Sequence, residues 1–185
     1  PGLVINISTS ANVTLKNLKI TGGYTSEING GGIVCEGNLT LDNCEVSNNS
    51  AKYGGGVYVS GGTFTMTGGK ISKNTSSITG EGGGVYVSGG TFKMEGGEIS
   101  NNYGFYGGGV ATATEGSFSM SGGTISGNIV TSSDGRKGNG SAVAVLTDGL
   151  FTVSENITIN GDVYLFDNQT ITVSNNFVGG EVMIT

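Results

Sequence analysis

A repeated segment constrains the fold of this chain more than any other feature. The stretch GGGVYVSGGTFTMTGGKISKN (54–74) returns as GGGVYVSGGTFKMEGGEISNN (82–102), and the two differ only at positions 65/93, 67/95, 70/98 and 73/101. The GGG marker also begins at Gly30 and Gly107 and returns as GSA at Gly140, so successive markers are 24, 28, 25 and 33 residues apart. Repeats of this length, each too small to bury a core alone, are typical of solenoids.

Within each repeat the apolar residues alternate with polar ones, which is the pattern of β-strands. Three short strands can be read in the unit 54–74, namely GVYV, GTFTM and GKIS, with glycine-rich turns between them. The inward positions of successive units align into four apolar columns: Val13, Leu39, Phe64, Phe92, Phe118, Phe151; Leu15, Leu41, Met66, Met94, Met120, Val153; Ile20, Val46, Ile71, Ile99, Ile125, Ile159; and Ile33, Val57, Val85, Val110, Val143. We therefore expect an all-β fold, a right-handed single-stranded parallel β-helix with three short strands per coil and about six to seven coils.

The positions that vary between repeats are expected to face outwards. One outward column alternates in charge along Lys19, Glu45, Lys70 and Glu98, and Lys16 aligns with Asp42, which predicts solvated ion pairs between coils. Another column contains only asparagine, at positions 49, 74, 102 and 128. Stacked amides can hydrogen-bond from coil to coil, so we expect a structural asparagine ladder in this turn.

Composition excludes several classes of function. The net charge of −6 and the pI near 4.5 argue against binding of nucleic acid through a basic surface. Histidine is absent, which rules out a Ser-His-Asp triad, a Cys-His pair and a histidine-ligated zinc site. No apolar run approaches the roughly 20 residues of a membrane span, so we expect no membrane insertion by this segment. No cofactor, catalytic residue or metal ligand is predicted. Cys35 and Cys44 are interpreted as free thiols in the core rather than as a disulfide.

The repeat resembles that of a known group of proteins. The segment 54–74, together with the closing GDVYLFDNQTITVSNNFVGG (161–180), is similar to the β-helix repeats of large secreted or surface-anchored bacterial proteins described as adhesin-like, within the pectate-lyase-like β-solenoid class. This resemblance implies an extracellular or cell-surface location. Residues 1–185 are expected to form a single β-helix domain. Neither end has the pattern of an amphipathic capping helix, and an exposed terminal coil would be open to strand pairing. We therefore expect the domain to be a segment of a longer surface protein, or its end to be blunted by irregular segments.

The tyrosines gather along one edge of the predicted solenoid. All large length variation falls between the third strand and the next GGG, and loops on one edge of a solenoid often carry function. Tyr24 lies in one of these loops, and Tyr58 and Tyr86 occupy equivalent outward positions on the adjoining strand. The candidate binding residues are Tyr58, Tyr86, Tyr53, Tyr103, Tyr106 and, in the longest loop, Arg136. The alternative is that the stacked tyrosines only stabilise neighbouring strands.

Three functions remain open at this point. The leading hypothesis is a non-catalytic, adhesin-like binding or stalk module that contacts glycans or host and cell-surface proteins, in an undetermined oligomeric state. The second is a carbohydrate-active enzyme, a polysaccharide lyase or hydrolase, with its site on the loop edge. A hydrolase needs two carboxylates roughly 5–10 Å apart, and the aligned columns do not gather such a pair. The third is a purely structural spacer.

Overall fold

The chain forms strands and turns throughout the part that the computed structural model describes, which comprises residues 2–133, 136–174 and 183–184. The first coil contains β1 (Ile5–Ile7), β2 (Asn12–Lys16) and β3 (Lys19–Thr21). The next four coils have four strands each: β4 (Ile33–Cys35), β5 (Asn38–Asp42), β6 (Cys44–Ser47), β7 (Ser50–Ala51); β8 (Val57–Val59), β9 (Thr63–Met66), β10 (Gly69–Ser72), β11 (Thr75–Ser76); β12 (Val85–Val87), β13 (Thr91–Met94), β14 (Glu98–Ser100), β15 (Tyr103–Gly104); and β16 (Val110–Thr112), β17 (Ser117–Met120), β18 (Thr124–Ser126), β19 (Ile129–Val130). Then follow β20 (Ser132–Ser133), β21 (Arg136–Lys137), β22 (Val143–Val145), β23 (Leu150–Val153), β24 (Thr158–Asn160), β25 (Asp162–Leu165), β26 (Ile171–Val173) and β27 (Met183–Ile184). The last residues of the predicted closing segment, 175–180, lie outside the described ones.

Equivalent strands of successive coils pair in parallel and form the walls of a β-solenoid, as predicted. Sheet 1 has the order β1-β4-β8-β12-β16-β22-β25-β27, sheet 2 the order β2-β5-β9-β13-β17-β23-β26, and sheet 3 the order β3-β6-β10-β14-β18-β24. Six complete coils, from β1–β3 to β22–β24, each contribute one strand to sheets 1, 2 and 3. The five steps between these coils give about five turns, close to the six to seven coils predicted. Among the strands that the structure describes, the exception to parallel pairing is the short hairpin β20–β21.

The interior is filled by columns of like side chains, and these are the columns predicted from the sequence. Phe64, Phe92, Phe118 and Phe151 are adjacent in the register of sheet 2 and are fully buried. Their rings stack in sequence with centroids 4.7, 4.9 and 4.9 Å apart and planes within 10° of parallel. This separation matches the spacing of about 4.8 Å between paired strands, so the ring stack is a direct consequence of strand register.

A fourth sheet corrects the prediction of three strands per coil. The strands β7, β11, β15 and β19 pair in parallel directly after the third strand, in segments that the sequence analysis treated as loops. The second residue of each strand is Ala51, Ser76, Gly104 or Val130, and the first three of these are buried. Because these buried residues are small or polar, a search for apolar alternation does not detect the strand.

The predicted asparagine ladder connects sheet 3 to this fourth sheet. Asn74 donates from Nδ2 to the carbonyl of Val46 (2.9 Å) and to Oδ1 of Asn102 (3.0 Å). Its own Oδ1 accepts hydrogen bonds from the backbone N–H of Asn49 (3.1 Å) and from Asn49 Nδ2 (3.0 Å). Asn102 makes the equivalent bonds to Asn128. Each amide therefore satisfies backbone groups of a neighbouring coil that the turn would otherwise bury without partners.

The predicted outward ion pairs are also present. Lys19 contacts Glu45 at 3.0 Å and Lys70 contacts Glu98 at 2.9 Å, and all four side chains remain substantially exposed. A third pair joins Lys16 and Asp42 at 2.9 Å. Exposed pairs of this kind contribute at most about 1 kcal/mol each. They explain the sign alternation between repeats but not the stability of the solenoid.

Both cysteines are free and buried, as expected. Cys35 stands in the inward column of sheet 1 beside Val59. Burial, with a smaller contribution from Glu36, raises the pKa of the Cys35 thiol to about 11. Cys44 donates from Sγ to the carbonyl of Leu15 at 3.2 Å. The two thiols are therefore core groups.

The described residues contain no helix that is long and apolar enough to cross a membrane.

The asparagine ladder can be tested by truncating one of its members. Replacing Asn74 by Ala removes four hydrogen bonds and leaves buried backbone groups of the neighbouring coils without partners. We expect Asn74→Ala to lower the free energy of unfolding by about 3 kcal/mol, measured by chemical denaturation. The control is Asn12→Ala, because Asn12 is exposed. Equal losses in the two variants would contradict a structural role for the ladder.

The buried hydroxyl of Thr112 provides a second test of stability, in which substitution is expected to stabilise the fold. Thr112 faces inwards in the same column as Val87 and Val145, is fully buried, and its Oγ1 has no hydrogen-bond partner among the described residues. Burying an unpaired hydroxyl is unfavourable. We expect Thr112→Val to raise the free energy of unfolding by about 1 kcal/mol. Thr152→Val, on the outer side of sheet 2, should change it by less than about 0.5 kcal/mol. A destabilised Thr112→Val protein would show that the hydroxyl has a partner.

Candidate functional site

The outer face of sheet 1 carries a column of side chains that changes character halfway along the solenoid. The register places Val34, Tyr58, Tyr86, Ala111, Ala144 and Tyr164 side by side on successive strands. Large rings therefore stand at both ends of a two-strand interval occupied by alanine. Two strand spacings correspond to about 10 Å, so the alanines leave room above the sheet for side chains from elsewhere.

One half of the column is extended by a loop tyrosine. The ring of Tyr86 lies 5.8 Å from that of Tyr58 and 5.5 Å from that of Tyr53, with planes tilted by 34° and 37°. Such offset arrangements are favourable for aromatic pairs. Tyr86 is only 8% exposed, whereas Tyr58 and Tyr53 are half-buried and form the accessible surface. Ser88 donates a hydrogen bond of 2.8 Å to the Tyr58 hydroxyl.

The other half is built around Tyr106, which the loop before β16 supplies. Its ring stacks on Tyr164 with centroids 6.0 Å apart and planes 18° apart, and Tyr164 in turn meets Phe166 edge-on at 6.5 Å. Ala111 and Ala144 are fully buried although they face outwards, and Tyr106 packs against the apolar cluster that contains them. We call Tyr53, Tyr58, Tyr86, Tyr106, Tyr164 and Phe166 together the aromatic cluster. It is a second, smaller apolar core on the outside of the solenoid.

An open cavity adjoins the aromatic cluster. It has a volume of about 180 Å³ and is lined by Glu81, Tyr106, Leu146, Thr147 and Phe166. Glu81 and Tyr106 are brought together by a parallel bridge between their coils, and the backbone of Phe166 bonds to the coil that contains Leu146. The lining therefore combines two aromatic residues, one aliphatic residue, the hydroxyls of Tyr106 and Thr147, and one carboxylate. We call it the Glu81 cavity.

The carboxylate in this cavity is electrostatically unusual. Burial raises the pKa of Glu81 above its ordinary value, and interaction with the Tyr86 hydroxyl offsets part of that shift. The pKa of Tyr86 is raised as well, first by its own burial and then by Glu81, so its hydroxyl stays protonated and can donate to the carboxylate. The site thus holds a partly desolvated acid beside aromatic surface.

The residues predicted as a binding site divide into two groups. Tyr53, Tyr58, Tyr86 and Tyr106 come together in the aromatic cluster. Tyr103 lies outside it on β15, where it is 39% exposed, and Arg136 is exposed on the β20–β21 hairpin. The remaining loop tyrosine borders a separate cleft of about 350 Å³ near the first coil, lined by Gly2, Tyr24, Thr25, Ser26, Glu27 and Ile28.

Sequence reasoning missed the remaining residues of this site. Tyr164 was detectable, because GDVYLF repeats the outward tyrosine of GGGVYV one position after the inward valine. Phe166 and Thr147 follow strands in turns without periodicity, so their positions carry no comparable signal. Glu81 is the residue before a GGG marker, where the other repeats have Asn29, Tyr53 and Tyr106. A carboxylate in this column was visible, but its burial depends on packing between coils.

Neither a metal centre nor a known relative adds to this description. Within residues 2–133, 136–174 and 183–184, no three Cys, Asp or Glu side chains come together in a group that could hold a metal ion. No protein-family model, no curated protein and no solved structure matches the chain. The candidate site is therefore defined by its own geometry, as an aromatic cluster with an adjoining acidic cavity.

The electrostatic state of Glu81 can be measured through stability. Because the folded-state pKa is raised, the folded protein binds a proton more tightly than the unfolded chain, and stability falls as pH rises through the raised value. We expect Glu81→Gln to raise the free energy of unfolding at pH 7 by about 0.5 kcal/mol, after allowance for partial exposure. The gain should shrink as pH falls, and it should vanish well below the unfolded-state pKa of about 4.3, where the carboxyl is protonated in both states.

Denaturation curves at pH 4, 5.5 and 7 provide this measurement. Glu95→Gln is the matched control, because Glu95 is an exposed carboxylate on the same solenoid and the substitution makes the same change in charge. The control should show no comparable gain at pH 7. A gain of equal size at pH 4 and pH 7 in Glu81→Gln would contradict the assigned electrostatic cost.

Proposed function

We propose that this chain is a non-catalytic, adhesin-like binding or stalk module of a bacterial cell surface, which contacts glycans or host proteins. The observation that carries the proposal is the aromatic cluster, a surface of tyrosine and phenylalanine rings on the outside of an otherwise polar solenoid. Exposed apolar patches rimmed by polar groups are typical of interaction sites. Tyrosine suits this role because it combines an apolar ring with a hydroxyl.

A binding role also accounts for the outward tyrosines of sheet 1, which are not part of the inward core. The inward columns alone bury the core, and they are complete beneath the alanines of sheet 1. Outward tyrosines at positions 58, 86 and 164, joined by loop tyrosines 53 and 106, are an addition to that core. The surface and bacterial assignment of the proposal rests on the resemblance of the repeat to those of adhesin-like proteins.

A catalytic role receives less support from the geometry. Glycoside hydrolysis uses a pair of carboxyl groups about 5–10 Å apart. Among the described residues that line the Glu81 cavity, Glu81 is the sole carboxylate. A spacer without ligands remains the other alternative, in which the cluster would only stabilise sheet 1.

A binding array of glycans and polysaccharides tests the proposal. We expect the native chain to bind at least one glycan, and Tyr58→Ala to weaken that binding about tenfold, because this half-buried ring contributes accessible aromatic surface. Tyr103→Ala is the control, since Tyr103 is an exposed tyrosine outside the cluster. Thermal unfolding of each variant separates lost contacts from lost structure.

Three results would contradict parts of this proposal. Release of product from a bound glycan would favour the enzyme. Equal loss in Tyr58→Ala and Tyr103→Ala would place binding elsewhere. Absence of binding to both glycans and host-surface proteins would favour the spacer.

A further inference from the structure

Among the described residues, no cation forms an ion pair with the carboxylate of Glu81. All eight lysine and arginine residues belong to the described part of the chain. The ion pairs found there join Lys16 to Asp42, Lys19 to Glu45 and Lys70 to Glu98, and none includes Glu81. A partly buried carboxylate without a cation is costly. Its charge is therefore available to a cation that comes from outside.

Aromatic rings beside this carboxylate add to its attraction for a cation. Tyr106 and Phe166 line the same cavity, and Phe166 is 40% exposed. Ring faces attract ammonium groups, most strongly where water is excluded. The adjoining coil already shows this interaction, because Nζ of Lys52 lies 5.3 Å from the centroid of the Tyr53 ring. Lys52 is thus engaged at the edge of the aromatic cluster.

The size and lining of the cavity limit what can enter. Its volume of about 180 Å³ is below the roughly 300–1,000 Å³ of pockets for drug-sized ligands, which suits one sugar ring rather than an oligosaccharide. Leu146 and Phe166 offer apolar surface for the C–H face of a sugar. Thr147 is exposed at the rim, so its hydroxyl is accessible to ring hydroxyls.

We propose that the Glu81 cavity binds a single sugar ring that carries a protonated amino group, as part of a glycan. The ammonium would pair with the Glu81 carboxylate between the rings of Tyr106 and Phe166, and the sugar would pack on Leu146 and Phe166. Acetylation of the amine removes the positive charge and with it this pairing. This inference rests on the proposed glycan-binding function and specifies the ligand and the position of its charge.

The wider charge of the protein agrees with a cationic ligand. The chain carries a net charge of −6, so its overall field attracts cationic glycans and repels anionic ones. A general attraction of this kind is not specific, however. The test must therefore separate the Glu81 carboxylate from the net charge, and a second acidic residue provides the means.

The experiment compares glucosamine oligomers with the matched N-acetylglucosamine oligomers, by calorimetry or an array at pH 6. The native chain should bind the free amine form at least about tenfold more tightly, as expected for a charge-assisted hydrogen bond in a partly desolvated site. Glu81→Gln should abolish this preference. Glu95→Gln, with the same net charge, should retain it. Phe166→Ala should weaken binding of both forms, because it removes the sugar's stacking surface. A lysine-rich peptide is included as a second source of ammonium groups.

Each outcome distinguishes this inference from the function on which it rests. Binding of both oligomers with equal affinity, unaffected by Glu81→Gln, would overturn the inference and leave the glycan-binding function standing. Equal loss of preference in Glu81→Gln and Glu95→Gln would overturn it in favour of net charge alone. Glu81-dependent binding of the peptide without glycan binding would overturn it in favour of a protein ligand. Absence of binding to every glycan on the array, to the peptide and to host-surface proteins would overturn both proposals.

Discussion

Every coil of this protein is held to the next by parallel strand pairing in register, and the remaining features depend on that pairing. Register places each residue beside its equivalent on the next coil at about 4.8 Å, so a side chain in the interior packs mainly on copies of itself. The phenylalanine rings show the result, with centroid separations of 4.7–4.9 Å. The asparagine ladder shows it for polar groups, because each amide bonds to the next in the same geometry.

Register also explains why two repeats are nearly identical and where they differ. Positions 65/93, 67/95 and 70/98 lie outside the inward columns, where a change of side chain does not disturb packing. Position 73/101 follows the third strand, where Lys73 has φ of +56° and Asn101 φ of +55°. The backbone is conserved at this turn although the residue is not. Asparagine tolerates this left-handed conformation better than lysine, so the two repeats accommodate the same geometry at different cost.

Much of the fold was predictable from sequence because strand periodicity and repeat alignment report the same columns. Where one of these signals is missing, prediction failed. The fourth sheet has Ala51, Ser76 and Gly104 at its buried positions, and no apolar alternation marks two-residue strands of this kind. The other three sheets already stack the coils on one another, and this stacking brings the fourth-sheet segments into parallel pairing. The segments themselves have no sequence preference for strands that would predict it.

The candidate site was predictable only where it follows the repeat. Aligning repeats placed Tyr58 beside Tyr86, and the register confirms that placement. Grouping tyrosines by loop, in contrast, did not separate Tyr106, which joins the aromatic cluster, from Tyr103, which lies outside it. The direction of a loop side chain depends on packing between coils that no periodic signal reports. Glu81, the carboxylate in the cavity beside the aromatic cluster, was missed because its burial likewise depends on packing between coils.

A solenoid of copied coils can form a concave site only where the copying stops. If tyrosine continued from position 86 through positions 111 and 144 to 164, the outer face of sheet 1 would be a flat stack of rings. The alanines interrupt that stack, Tyr106 packs against the apolar cluster that contains them, and Tyr106 also lines the cavity beside Glu81. Packing alone favours a neutral residue at this place, since burial raises the pKa of the Glu81 carboxyl. A carboxylate placed at a cost to stability, beside aromatic rings and at the interruption of a repeat, is typical of a binding site, and this supports the proposal that Glu81 pairs with a cation.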